Sequence, residues 1–177
     1  PSLEMVFVST GNARASLFGA LRPGDNLHSN SVVALDARNG DIIWSFQEVR
    51  HDLWDYDIPS PPILTSIQKD SKIIDVVVAV TKIGNTIILE RNSGKPIFDF
   101  ILKKAPPSDV PGEKTAEYQP HVQTPEPFSK TTFTRSDVTD IGENNYLDVM
   151  AKISGSRMGF FAPPTIGQTL VSFGLHG

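Results

Sequence analysis

Short apolar runs separated by turn-forming residues dominate the chain. The runs are rich in Val, Ile and Phe and end at Gly, Asn, Asp or Pro, which is typical of β-strands joined by tight turns. We predict strands over residues 4–9, 31–36, 41–47, 75–81, 85–91, 96–102 and 169–173. Apolar residues at helical spacing predict one short helix over residues 145–153. The pattern therefore predicts an all-β protein.

The connections are also visible in the pattern. Asn39-Gly40 separates two predicted strands, and Asn-Gly readily adopts positive φ, so we predict a tight hairpin there. Residues 82–84 and 92–94 predict further turns. Residues 103–134 contain six prolines and few apolar runs, which predicts a long loop between strands. A loop of this length is usually functional or a linker.

Residues 34–44 can be aligned with residues 88–98. Gly94 follows Gly40 by 54 residues, and both segments carry an acid, a turn glycine and an aromatic residue at matching places. The matched positions are Asp36 with Glu90, Gly40 with Gly94, and Trp44 with Phe98. Repeats of four-stranded units near this length are typical of β-propellers, whose blades bury their faces against one another. Two unrelated hairpins are the alternative interpretation.

Composition narrows the class of protein. The chain has 177 residues, of which 39% are hydrophobic and 20% charged, as expected for a globular domain with a core. No apolar run approaches the roughly 20 residues that cross a membrane. The net charge of −4 disfavours a nucleic-acid partner, and the absence of Cys excludes disulfides and thiolate chemistry within the chain. The chain starts at Pro1 without a signal-peptide pattern, and we expect it to be part of a longer protein.

Residues 51–62 form the most acidic and aromatic segment. Four groups that could bind a metal or a proton fall within seven positions: His51, Asp52, Asp55 and Asp57. Like charges so close together are costly unless a cation, a proton or a basic partner offsets them. Asp55 lies between Trp54 and Tyr56, which suits a general base or a ligand of a hard divalent cation. A solvated surface turn is the alternative.

Two residues outside this segment could share such a site. Asn12 follows Gly11 at the end of the first predicted strand and offers a neutral oxygen to a cation. Lys82 lies at a predicted turn, and a lysine held near acids or a carbonyl can polarise an oxygen. The alternatives are an ordinary strand-ending turn for Asn12 and a solvated lysine for Lys82.

Together these segments resemble the quinoprotein dehydrogenases, which use pyrroloquinoline quinone (PQQ). The matching segments keep the family's order and are residues 10–12, 22–26, 30–36, 51–59, 81–85, 111–114 and 161–164. The His-Asp-Leu-Trp-Asp run is most similar to the membrane glucose dehydrogenase-like branch. The resemblance implies an eight-bladed β-propeller, of which residues 1–177 form several blades of an incomplete ring with a long loop at about 103–134.

The resemblance also implies roles for individual residues. Asp55 matches the catalytic aspartate, which takes the substrate hydroxyl proton while hydride passes to PQQ, and which also ligates the metal. Asn12 matches the asparagine metal ligand, and Asp57 is an additional candidate ligand. Lys82 matches the basic residue beside the PQQ quinone oxygens, and Trp44 matches the tryptophan that docks adjacent blades. The implied cofactors are PQQ and Ca²⁺, Mg²⁺ or a lanthanide.

The implied reaction is oxidation of a sugar or alcohol, with a quinone or cytochrome as electron acceptor of the full-length protein. We expect a periplasmic location, with a membrane anchor left open, and no activity from the isolated chain, because the ring cannot close. Two alternatives remain from the residues alone. One is a non-catalytic β-propeller scaffold, which needs Trp44 but not the polar site. The other is a metal hydrolase built on His51, Asp52, Asp55 and Asp57.

Overall fold

The structure is a computed structural model that describes residues 4–129, and these form eight antiparallel strands. The strands are β1 (Met5–Ser9), β2 (Ser31–Asp36), β3 (Ile42–Gln47), β4 (Ile63–Lys69), β5 (Lys72–Val80), β6 (Thr86–Glu90), β7 (Phe100–Lys104) and β8 (Tyr118–Val122). No described residue lies in a helix, so no helix there could span a membrane. The all-β prediction is confirmed. The predictions over 130–134, 145–153, 161–164 and 169–173 lie outside the described residues.

The first sheet has the order β1-β2-β3. Met5 is opposite Asp36 and Ser9 is opposite Val32, so β1 and β2 are paired along their length. The predicted hairpin between β2 and β3 is confirmed, with Gly40 at φ +80° in the turn. A Cβ added at Gly40 would meet no heavy atom within 4 Å, so it is the backbone conformation that favours glycine there.

The second sheet has the order β4-β5-β6, and its first strand was not predicted from the sequence. β4 and β5 form a hairpin in which Lys69 is opposite Lys72. Only Asp70 and Ser71 lie between them, and both have positive φ, at +50° and +60°. Two central residues with positive φ define the type I′ turn that suits the twist of paired strands. Asp-Ser is a weaker turn signal than Asn-Gly, which explains the omission.

The third sheet pairs β7 with β8 and corrects two predictions. The strand predicted over 96–102 begins later, because Pro96 makes only an isolated bridge to Leu89 and regular pairing starts at Phe100. The loop predicted over 103–134 contains β8. Pro120 lies within β8 opposite Leu102, and proline is tolerated where a strand pairs on one side only.

The main core joins the first two sheets. Its buried members come from β2, β3, β5, β6 and the segment after β3: Val32, Ala34, Trp44, Ile58, Val77, Ala79, Ile87 and Leu89. Both sheets thus place alternate side chains of their strands on a shared interface, as period-two patterning requires. A smaller cluster of Val49, Tyr56 and Ile83 lies beside the segment that carries the acidic residues. This second cluster anchors the connections on which the candidate site is built.

The two turns of the repeat are closed by the same pair of hydrogen bonds. In the first turn, the N–H of Gly40 donates to the carbonyl of Asp36, and the N–H of Asp36 donates to that of Asp41, both at 2.8 Å. The equivalent bonds in the second turn are Gly94 to Glu90, at 2.9 Å, and Glu90 to Lys95, at 2.8 Å. This shared geometry favours a repeat over two unrelated hairpins.

Trp44 links the two copies of the repeat. Its indole N–H donates to the Arg91 carbonyl at 3.0 Å, and its ring lies against Gly94. A Cβ added at Gly94 would lie 2.6 Å from the indole Cδ2, so only glycine leaves room for the ring. A side chain of the first sheet thus covers the turn of the next. Its proposed role as a docking residue would require such a contact.

Candidate functional site

Asp55 and Lys82 form an ion pair between two connections of the fold. Asp55 lies between β3 and β4, Lys82 lies between β5 and β6, and Nζ of Lys82 is 3.1 Å from Oδ2 of Asp55. Asp55 has φ +62°, a conformation that aspartate tolerates better than bulkier residues. The neighbouring rings of Trp54 and Tyr56 stack with centroids 6.0 Å apart. Both members of the pair are partly exposed, so a ligand could reach them.

Asp57 connects this ion pair to Asn12. Its Oδ1 accepts a hydrogen bond from the backbone N–H of Asn12 at 2.7 Å, and its Oδ2 lies 3.9 Å from Nζ of Lys82. The carbonyl of Asp57 also accepts the backbone N–H of Lys82 at 3.3 Å. Gly11 allows this approach, because a Cβ there would lie 2.6 Å from Oδ1 of Asp57. The structure therefore links Asn12, Asp55, Asp57 and Lys82, the four residues that the family resemblance places in one polar site.

The Asn12 side chain is suited to coordinate a cation. Its Nδ2 donates to the Ser16 carbonyl at 2.8 Å, which orients the amide. Its Oδ1 is shielded from solvent and has no hydrogen-bond partner among residues 4–129. A hard divalent ion prefers oxygen donors of this kind, together with carboxylates such as Asp55 and Asp57. Within the described residues, no three His, Cys, Asp or Glu side chains group as a metal site.

Asp52 is buried and holds the loop that carries Asp55. Its Oδ1 accepts the N–H of Trp54 at 2.8 Å, and its Oδ2 accepts the N–H of Tyr56 at 2.7 Å. Oδ2 also accepts a bond from Nδ2 of Asn30 at 2.8 Å. Burial raises the pKa of Asp52 to about 6, and the three hydrogen bonds oppose that shift. The Asp52 carboxylate therefore braces the backbone on both sides of Asp55.

Glu48 holds the turn that carries Lys82, as Asp52 holds the loop that carries Asp55. Its Oε1 accepts hydrogen bonds from Oγ1 of Thr81 at 2.9 Å and from Nδ2 of Asn85 at 2.8 Å, and these residues flank the turn. Its Oε2 is buried without a partner among the described residues. Burial raises the pKa of Glu48 to about 7. Glu48 and Asp52 thus support the two connections whose tips form the ion pair.

The structure does not assemble the hydrolase site that the sequence left open. Asp52 directs both carboxylate oxygens at hydrogen-bond donors, and Nδ1 of His51 lies 2.6 Å from the Gly24 carbonyl. Neither joins a metal-binding group among residues 4–129. Sequence reasoning missed the bracing role of Asp52, although an aspartate two residues before an exposed turn can signal an Asx-turn. No comparable signal marks Glu48, whose partners lie more than 30 positions away.

The antiparallel sheets follow one another along the chain, and Trp44 connects the first to the second. This is the architecture of a β-propeller. The site on their connections combines carboxylates, an amide oxygen and a lysine, groups suited to a metal ion and an electron-accepting cofactor. The chain belongs to the PQQ-dependent quinoprotein dehydrogenases. The family described as PQQ: Glucose/ethanol/alcohol dehydrogenase, beta-propeller domain, matches residues 1–177.

Individual relatives agree with this assignment. The chain is 32% identical to quinoprotein glucose dehydrogenase A of Acinetobacter calcoaceticus, over 96% of this chain and 22% of that protein. It is 31% identical to the glycerol dehydrogenase large subunit of Gluconobacter oxydans, over 97% of this chain and 24% of that protein. The solved quinohemoprotein alcohol dehydrogenase of Pseudomonas putida HK5 matches with a TM-score of 0.53 and 26% identity, over 62% of this chain and 17% of that one. The chain thus spans about a quarter or less of these relatives.

Proposed function

We propose that this chain carries part of the catalytic site of a PQQ- and metal-dependent dehydrogenase that oxidises a hydroxyl group of a sugar or an alcohol. The observation that carries the proposal is the Asp55–Lys82 pair at 3.1 Å, with Asp57 and Asn12 linked to it. A carboxylate and an ammonium group that are held together and partly exposed can handle a proton and stabilise negative charge. The family to which the chain belongs supplies the reaction class.

Asp55 is the proposed base. Its carboxylate accepts the proton of the substrate hydroxyl, and Lys82 holds that carboxylate in place through Oδ2. When bound, PQQ would supply the hydride-accepting group and the metal ion would supply Lewis-acid polarisation. Asn12 through Oδ1, together with Asp55 and Asp57, would hold the metal, whether Ca²⁺, Mg²⁺ or a lanthanide. Lys82 would also lie beside the quinone oxygens.

The remaining features of the full-length protein are part of the same proposal. The relatives are named for glucose and glycerol, so their names agree on a hydroxyl substrate and differ on which one. The electron acceptor is a quinone or a cytochrome, and the location is periplasmic, with a membrane anchor left open. Residues 1–177 form a partial propeller domain that is inactive without the rest of the ring.

The test is Asp55→Asn in the full-length protein. With PQQ and Ca²⁺ supplied, dye-linked turnover of glucose, polyols and simple alcohols should fall by at least about 10²-fold, because a general base of this kind contributes 10²–10⁴-fold. Asp70→Asn, at an exposed turn with φ +50°, is the matched control and should retain wild-type turnover. Wild-type turnover in Asp55→Asn would contradict the role proposed for Asp55. No turnover in the unmodified full-length protein would favour a non-catalytic scaffold.

A further inference from the structure

Arg22 is a buried charged residue in the connection that carries Asn12. This connection, residues 10–30, joins β1 to β2. Arg22 is only 8% exposed. Taking a guanidinium group out of water is costly unless its N–H groups find acceptors inside the protein. The acceptors that Arg22 uses therefore show what it holds in place.

Nη2 of Arg22 joins two connections of the fold. It donates to the Ser16 carbonyl at 3.2 Å, within residues 10–30, and to the Asp52 carbonyl, in the connection between β3 and β4. This nitrogen carries two hydrogens, so it can serve both carbonyls. Arg22 thus links the connection that carries Asn12 to the connection that carries Asp55.

The other nitrogens of Arg22 fix the guanidinium in this position. Nε donates to the Ala15 carbonyl at 3.1 Å, and Nη1 donates to Oδ1 of Asn26 at 2.6 Å. Nδ2 of Asn26 donates in turn to the Arg22 carbonyl at 2.8 Å. The planar fork of an arginine suits this set of acceptors, whereas the single Nζ of a lysine cannot reach all of them at once.

The Ser16 carbonyl connects Arg22 to Asn12. It accepts a hydrogen bond from Nη2 of Arg22 at 3.2 Å and another from Nδ2 of Asn12 at 2.8 Å. The bond to Nδ2 orients the Asn12 amide and therefore sets the direction of Oδ1, the proposed metal ligand. Oδ1 is buried and has no hydrogen-bond partner among residues 4–129. Arg22 thus restrains the carbonyl that orients this ligand.

The Asp52 carbonyl connects Arg22 to Asp55. The Asp52 carboxylate holds the N–H groups of Trp54 and Tyr56, on both sides of Asp55. Arg22 holds the main chain of Asp52 itself, which restrains the start of this loop relative to residues 10–30. Groups that orient metal ligands change metal affinity by about 10–100-fold when they are mutated.

We propose that Arg22 is a positioning residue of the candidate site. Through the carbonyls of Ser16 and Asp52, its guanidinium sets the position of Oδ1 of Asn12 relative to Asp55, so that both can bind one metal ion. The inference rests on the proposed function, in which Asn12 and Asp55 are metal ligands. Arg22 itself acts only through its two carbonyl partners.

Other hydrogen bonds join the same two connections, which makes Arg22 accessible to mutation. The N–H of His51 donates to the Asp25 carbonyl at 3.0 Å, and Nδ1 of His51 lies 2.6 Å from the Gly24 carbonyl oxygen. We therefore expect Arg22→Lys to fold. Asn26→Gly is a milder variant, because it keeps the guanidinium and removes one of its acceptors. Glycine readily adopts the φ of +55° at this position.

The test is calorimetric titration of the PQQ-free full-length protein with Ca²⁺, Mg²⁺ and La³⁺ in turn, and the variants are compared with the metal that binds most tightly. Asn12→Ala should weaken binding, because it removes a ligand. Arg22→Lys keeps the charge and should weaken binding by about 10–100-fold. Asn26→Gly should weaken it by a smaller factor. Arg38→Lys, at an exposed arginine between β2 and β3, is the control and should bind like wild type.

Thermal unfolding without metal separates positioning from a purely structural role. Wild-type metal affinity in Arg22→Lys and Asn26→Gly, with a lowered Tm and with binding weakened in Asn12→Ala, would overturn the proposal and leave the metal site standing. Wild-type affinity in Asn12→Ala would contradict the proposed metal site itself, and this inference with it.

A crystal structure of full-length Arg22→Lys provides a second readout that does not depend on activity. Movement of the Asn12 amide or of the Asp52 carbonyl from its wild-type position supports the proposal. Unchanged positions of both groups would overturn it.

Discussion

Nζ of Lys82 lies 3.1 Å from Oδ2 of Asp55, although the two residues are 27 positions apart. The whole β4–β5 hairpin separates them in the chain. The contact exists because the connection after β3 and the turn after β5 meet at one place. Asp57 adds a second link there, through its carbonyl and the N–H of Lys82. Several predictions can be tested on this arrangement and on the groups that support it.

Lys82→Met should lower kcat of the full-length enzyme by about 10²-fold, which is the usual effect of removing one group that stabilises developing charge. Met preserves most of the side-chain volume while removing the ammonium group beside Asp55. Lys82→Arg keeps the charge and should recover part of the loss. Steady-state kinetics with PQQ and Ca²⁺ check this, with exposed Lys72→Met as the control. Unchanged kcat in Lys82→Met would show that the ion pair is not used in the reaction.

Asp52→Asn should destabilise the protein by about 1–3 kcal/mol, because an amide cannot accept from all three donors and leaves one N–H unpaired. With that hydrogen bond lost, the loop is held less firmly in the conformation that positions Asp55. We therefore expect kcat to fall by a larger factor than KM rises. Thermal unfolding and steady-state kinetics of the full-length protein measure the two effects. Asp70→Asn, on an exposed turn, should change neither. Normal kcat in a destabilised Asp52→Asn would limit Asp52 to a structural role.

Glu48 should make stability depend on pH. Burial raises its pKa from the ordinary value of 4.5 to about 7, so between these values the folded state keeps a proton that the unfolded state has released. The contribution of Glu48 to the free energy of unfolding is therefore greatest below about pH 4.5. It falls by on the order of 3 kcal/mol as the pH rises through 7. Glu48→Gln does not titrate and should lack this loss.

Thermal unfolding of the full-length wild type and Glu48→Gln at pH 5 and pH 8 checks this prediction. The Tm of the variant relative to wild type should be higher at pH 8 than at pH 5. Both proteins keep Asp52, whose raised pKa adds its own pH dependence, and the charge of Asp52 is one of the causes that raise the pKa of Glu48. An equal Tm difference at both pH values would mean that Glu48 does not hold its proton in the folded state.

Gly94→Ala should be more destabilising than Gly40→Ala. Both glycines have positive φ, at +68° and +80°, so alanine is strained at either position. Only at Gly94 would the added Cβ also collide with Trp44, at 2.6 Å from Cδ2. The comparison therefore isolates the contact between the two sheets. Equal losses in Tm for the two variants of the full-length protein would show that Trp44 moves aside without cost.

The sequence predicted most strands, and the reasons for the failures are local. The strands predicted over 31–36 and 85–91 were confirmed because their apolar runs are bounded by clear turn residues. β4 was missed because Asp70-Ser71 is an uncommon pair for a two-residue hairpin turn. β8 was missed because Pro120 argues against a strand unless the strand pairs on one side only. In both cases a local rule, on turn residues for β4 and on proline for β8, was overridden by the pairing of the strands in the fold.

By itself, the sequence determined which residue types are available: the acids of residues 51–57, Asn12, Lys82, the turn glycines and Trp44. It could not determine how neighbouring carboxylates divide their roles, since Asp52 and Asp55 are only three positions apart. The fold buries Asp52 against three hydrogen-bond donors and leaves Asp55 partly exposed beside Lys82. That division depends on burial and on contacts between residues distant in the chain. Only the packed arrangement of the sheets creates those contacts.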